Sequence, residues 1–189
     1  MTTTLLSIFL GIGLAASAGF RVFVPLFAMS LAAYYGLIPV NESFAWVAST
    51  PALIVLGVAS IVESISYLVP FVDNLLDTIA VPLAGVAGTM VMAASVADLS
   101  PEMTWALAII AGGGAAATIK GTAAAGRAVS TGTTGGLANP VISVGETGTA
   151  IGLSALSIFL PIVAALASVL VLVGIIWLVM RLRGRLQRS

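Results

Sequence analysis

The stretch Ala111–Gly148, AGGGAAATIKGTAAAGRAVSTGTTGGLANPVISVGETG, decides how this chain is read. It holds ten of the chain's twenty glycines together with Lys120, Arg127 and Glu146, and it is flanked on both sides by long apolar runs. Hydrocarbon solvates neither a bare charged side chain nor an unpaired peptide group. A segment of this composition between apolar runs must be wrapped in other helices, with its charges paired or facing trapped water.

Composition points the same way. Of 189 residues, 60% are hydrophobic and 7% charged, whereas soluble domains carry about 25% charged residues. The expected class is an all-α polytopic membrane protein. At about 20 residues per span, the length suits about six transmembrane helices in one domain, residues 1–182, followed by a basic tail, 183–189. Four of the seven basic residues (Arg181, Arg183, Arg185, Arg188) fall in the last nine positions, and the positive-inside rule puts that tail in the cytoplasm. Cysteine and histidine are absent, which removes thiol chemistry, imidazole bases and the usual zinc and haem ligands. No cofactor and no metal are expected. Nothing in the charge pattern suggests nucleic acid. The first twenty residues look like a signal peptide in their apolar core, but they lack a basic leader and the apolar run continues past Val24, so an uncleaved first helix is expected.

Breakers set the expected spans. Helix one covers about 4–35, with Arg21 in its middle, and a polar connection follows over 37–50. Helix two starts at Pro51 and runs to about Val69 with Glu63 inside. PFVDN (Pro70–Asn74) is a turn, and helix three runs on to about Ala97, interrupted at Pro82. The loop at Asp98–Met103 divides the halves. Helix four covers 104–129, and the cluster STGTTGGLANP (Ser130–Pro140) is a turn. The remaining apolar residues are too many for one span of about 30 Å, so Pro161 separates helix five (141–159) from helix six (162–182). A short re-entrant helix around Glu146 is the alternative. Six passes place both termini in the cytoplasm of a bacterial inner membrane.

The halves echo one another: Ala18-Gly19-Phe20-Arg21 against Ala125-Gly126-Arg127, Glu63-Ser64 against Glu146-Thr147, Pro82 against Pro161. Three spans each, about 4–97 and 104–182, would make an inverted three-plus-three repeat with broken or re-entrant helices, a plan that puts a transporter's site near mid-membrane. The candidate substrate- or ion-binding residues are Arg21, Glu63, Asp73, Asn74, Asp77, Lys120, Arg127, Asn139 and Glu146. Lys120 and Arg127, seven positions apart, share a helix face and are expected to meet acids from helices two, three and five. Asp73 and Asp77 also share a face. The glycine bend before Asn139, beside a helix N-terminus, makes an anion-seeking surface, but it lacks the phosphate-loop pattern GxxxxGK[ST].

AGFRVFVPL (Ala18–Leu26), Glu63, VDNLLD (Val72–Asp77), LANP (Leu137–Pro140) and Glu146 resemble an uncharacterised bacterial family of small polytopic membrane proteins, catalogued as a domain of unknown function. The resemblance implies a polytopic inner-membrane protein and supplies no activity. The residues themselves suggest a small transporter or channel-like carrier for a small anionic solute or lipid phosphate, coupled to protons or a cation, surrounded by lipid and assembled as a homodimer. The alternative is a non-transporting scaffold or accessory subunit whose buried ion pairs are structural. A third reading, an intramembrane lipid-modifying enzyme, has no catalytic constellation behind it, so no enzymatic activity is expected.

Overall fold

The structure, a computed structural model, describes residues 2–69, 72–96 and 98–186. Every regular element among them is helical. The chain runs through α1 (Thr2–Phe20), α2 (Phe23–Tyr34), a 3-10 segment (Glu42–Ala48), α3 (Thr50–Ser66), α4 (Val72–Ser95), α5 (Pro101–Leu107), a π-helical turn (Ala108–Gly113), α6 (Gly114–Thr134), α7 (Asn139–Phe159) and α8 (Pro161–Leu186).

The first apolar run is not one helix. It breaks at Arg21–Val22, and α2 doubles back beside α1. Thr3, Leu6, Ser7 and Leu10 line one cleft with Leu37, Ile38 and Pro39; a straight helix would hold residues 3 and 37 about 50 Å apart. Arg21 therefore sits at the tip of a helical hairpin. Local sequence explains the break. Pro25 stands in the first turn of α2, where proline's missing N–H costs nothing.

The bundle has two ends. The upper end gathers the start of α1, the 3-10 segment and the loop before α5: Thr4 Oγ1 donates to Asp98 Oδ2 (3.3 Å), and Asn41 Nδ2 donates to the Val96 carbonyl (2.9 Å). The break at Leu160, before Pro161, lies there too. The lower end carries the turn after α3 and the turn Gly135–Ala138. α1 is the axis, packed against α4, α6, α7 and α8, while α3 leans on α2 and the 3-10 segment. Leu14, Ala15, Ala16 and Ala18 are fully buried.

Several expected boundaries move. α4 continues through Pro82, because one lost bond does not end a 24-residue helix. The Ser/Thr cluster after Val129 stays helical to Thr134, since Thr133 and Thr134 hydroxyls donate back to the carbonyls of Val129 and Ser130 (2.9 and 2.8 Å). The helix then ends on Gly135 and Gly136, both at positive φ. α7 is a single 21-residue helix, close to the expected helix five, and the re-entrant alternative around Glu146 falls away.

Four helical stretches are long and apolar enough to cross a membrane: Thr3–Phe20, Leu75–Ser95, Pro101–Thr134 and Asn139–Phe159. The 3-10 segment with α3, bent by 69°, makes a fifth. Two further apolar helices, Phe23–Tyr34 and Pro161–Trp177, are shorter among the described residues. The start of α1 is at the upper end, whereas Arg181 lies twenty residues, about 30 Å, down α8 from Pro161. The echoes between halves do not occupy equivalent places: Arg21 is at a hairpin tip and Arg127 inside a continuous helix, Pro82 is mid-helix and Pro161 begins one. The repeat has no support in the architecture.

α4 and the π-helical turn cross backbone to backbone. A Cβ on Gly88 would lie 2.5 Å from the Gly112 carbonyl oxygen, and one on Gly112 would lie 2.5 Å from that of Gly88. Gly112→Val should therefore force the helices apart and cost at least about 1–3 kcal/mol, read as loss of thermal stability in detergent, while Gly114→Ala, where a Cβ meets open space, should leave stability unchanged or raised. The chain has no cysteine, so single-cysteine labelling can test the path: Thr3→Cys and Leu37→Cys should react from one face of a sealed vesicle, and Gly184→Cys from the other.

Candidate functional site

The break at Arg21–Val22 frees backbone groups in both directions. α2 begins with orphan N–H groups, and two of them are taken by one side chain. Val22 N–H donates to Glu63 Oε1 (2.8 Å) and Phe23 N–H to Glu63 Oε2 (2.9 Å). A carboxylate is suited to the place, because a helix N-terminus carries partial positive charge. On the other side, α1 ends in free carbonyls, and Lys120 Nζ donates to that of Phe20 (3.3 Å). Gly19 makes this reach available: a Cβ there would stand 2.5 Å from Ile119 Cβ, so only glycine lets α6 approach so closely.

Around the tip the charges converge. Arg21 donates from Nε to Thr147 Oγ1 (2.9 Å) and from Nη2 to the Ser143 carbonyl (2.9 Å) and hydroxyl (2.5 Å), and its Nη1 lies 3.5 Å from Glu146 Oε2. Arg127 bridges two helices, with Nη2 2.5 Å from Glu146 Oε2 and Nη1 3.2 Å from Asp77 Oδ1. Tyr67 is the hub. Its ring centroid lies 4.1 Å from Arg21 Cζ, 4.4 Å from Arg127 Cζ and 4.6 Å from Lys120 Nζ. Such contacts are worth about 0.5–2 kcal/mol each when desolvated. Glu63 and Tyr67 stand one turn apart, so the last turn of α3 presents both.

The cluster is dry. Arg21, Lys120 and Arg127 are at most 1% exposed, Glu146 is 7% and Glu63 8%. Three cations face three acids (Glu63, Asp77, Glu146), which holds the net charge near zero. The pairing is nevertheless uneven. Lys120 has no carboxylate within 4 Å among the described residues, and Arg21 Nη1, Arg127 Nε and Nη1, and Glu146 Oε1 are buried without a hydrogen-bond partner. Glu63 also lines an apolar groove of about 220 Å³ between α2, α3 and α4 that reaches Tyr67 and is walled by Val62, Ile79 and Leu83.

Two candidates lie outside this centre. Asp73 is buried and accepts from Asn139 Nδ2 (2.8 Å), which also donates to Thr131 Oγ1 (3.0 Å). The anion-seeking start of α7 thus already has a carboxylate, and Asp73 and Asp77 serve different partners. The side chain of Asn74 lies outside the described residues. Ser143 and Thr147 were not singled out from sequence, although their spacing with Glu146 puts all three on one helix face. Tyr67 was missed as well; its position four residues after Glu63 was the available signal.

The hairpin tip with Arg21, the clasping Glu63, and Arg127 with Asp77 and Glu146 draw on most of the motifs by which the chain resembles a known family, while Asp73 and Asn139 pair with each other outside the centre. The chain belongs to the family described as Domain of unknown function (DUF4126), which matches residues 8–181. No curated protein and no solved structure matches it. The matched region takes in the whole cluster from Arg21 to Glu146.

Removing one partner from such a network leaves the others buried and unpaired. Arg127→Met, which strands Asp77 and Glu146, should cost about 3–5 kcal/mol, measured as loss of folded protein or a lowered unfolding midpoint in detergent. The double change Arg127→Met with Glu146→Leu should recover part of that loss.

Proposed function

We propose that this protein is a small carrier for an anionic solute in a bacterial inner membrane, held here in a closed state. One observation carries the reading. A helix broken inside an apolar bundle offers its N-terminal N–H groups, and the carboxylate of Glu63 on a neighbouring helix sits on them. Discontinuous helices with such ends take the anionic groups of substrates in membrane carriers. Glu63 then holds the place of a substrate carboxylate or phosphate, and Arg21, Lys120 and Arg127 supply the positive surroundings. Displacing Glu63 requires that it take a proton or move with α3, whose outer face (Ile54, Val58, Ile61, Ile65) is exposed along its length. The first of these routes would couple anion uptake to a proton. By the positive-inside rule, Arg181 and the residues after it put the lower end, near which the cluster lies, in the cytoplasm.

A second reading, a non-transporting scaffold with structural ion pairs, draws on the burial of the cluster and on the mutual pairing of Arg21, Arg127, Asp77 and Glu146. The two part on anion dependence. In proteoliposomes the carrier should move small carboxylates or inorganic phosphate, and Arg21→Gln should abolish uptake while the protein still folds. Glu63→Gln, which weakens the clasp while keeping its shape, should let the same anions protect against thermal unfolding at about tenfold lower concentration. A panel of anions that neither moves nor protects any variant, with Glu63→Gln merely less stable, would establish the scaffold.

A further inference from the structure

The upper end of the bundle has a cavity far from the charge cluster. It encloses about 560 Å³ and is lined by Glu42, Asp98, Asn41, Thr104, Phe44 and Trp105 among others, a size within the range of small-molecule sites. Its electrostatics are one-sided. Glu42, Asp98 and Glu102 are all at this end, while the seven basic residues lie in the cluster below or from Arg181 onward. The two rings, 6.4 Å apart between centroids, add negative faces.

Thr104 is the second, independent sign. It is 5% exposed, lines the cavity, and its hydroxyl has no hydrogen-bond partner. Nearby polar groups are otherwise engaged: Asn41 donates to the Val96 carbonyl and accepts from Ser43 N–H, and one Asp98 oxygen accepts from Thr4. A buried hydroxyl left over in an acidic, aromatic cavity has hydrogen-bonding capacity to offer a ligand. A metal ion fits poorly, since no group of three or more metal-binding side chains exists among the described residues.

We propose that this cavity binds a protonated primary amine. The ammonium lies against Glu42 and Asp98, one of its N–H groups donates to Thr104 Oγ1, and the alkyl part rests on Phe44 and Trp105. The site is separate from the proposed anion path and stands whether or not that reading holds.

Purified protein in detergent, titrated with butylammonium chloride and followed by tryptophan fluorescence, tests this. A saturable change is expected, absent in Trp105→Phe, at least about tenfold weaker in Glu42→Gln/Asp98→Asn, and weakened in Thr104→Val. Tetramethylammonium, which has no N–H to donate, should bind more weakly than butylammonium. Three results would overturn the proposal: an equal response to sodium chloride, a response to magnesium ion alone, or full binding by the Glu42→Gln/Asp98→Asn protein with normal folding. Because the readout is binding at the upper end, failure here leaves the anion experiments untouched.

Discussion

An interrupted helix surrounded by apolar side chains must have its loose peptide groups answered, and that constraint organises this molecule. The break at Arg21–Val22 exposes N–H groups on one side and carbonyls on the other. Glu63 comes from α3 to the first and Lys120 from α6 to the second. Each of those charges then needs balance, which Arg21, Arg127, Asp77 and Glu146 provide from four different elements. Tyr67 fills the space among the three cations with a surface that attracts them all. Remove the break, and neither the glutamate nor the lysine has a reason to be buried.

The rest of the bundle serves that centre by bringing helices close. Small residues on α1 let four helices pack around it, and Ser17 ties it to α7 through the Ala150 carbonyl and the Ser154 hydroxyl (2.8 and 2.7 Å). The Gly88–Gly112 crossing fixes α4 against the helix that carries Lys120 and Arg127. α3 is the exception. It delivers Glu63 and Tyr67 to the centre, yet it leans mainly on α2 and the 3-10 segment and shows lipid-type side chains on the rest of its surface. A helix with few neighbours that holds the key carboxylate is the natural moving part under the proposed carrier reading.

Much of this was legible in the sequence. Burial of charges among apolar runs follows from composition alone, and seven-residue spacing put Lys120 and Arg127 on one face, where both now border Tyr67. Family membership followed from short motifs around Arg21, Glu63 and Asn139. What escaped was the hairpin. Apolar residues on both sides of Arg21 read as one continuous span, and Pro25, placed three residues after a break, reads equally well as a mild kink inside a helix. Hydrophobic runs report burial, not direction, so the reversal was invisible. The reverse error occurred at Ser130–Thr134, where turn-forming residues stay helical because their hydroxyls satisfy carbonyls one turn back.

The hairpin tip also bears on how the protein is made. Its partners are far away in the chain: Glu63 is 41 residues on, Lys120 100 and Ser143 122. α6 and α7 follow α1 and α2 in the chain by about a hundred residues, so Arg21 and the Phe20 carbonyl meet these partners only once most of the chain exists. Contacts of such long range close late. Biogenesis of this protein therefore ends where its sequence begins, with α6 and α7 arriving to seal an opening left by the first two helices.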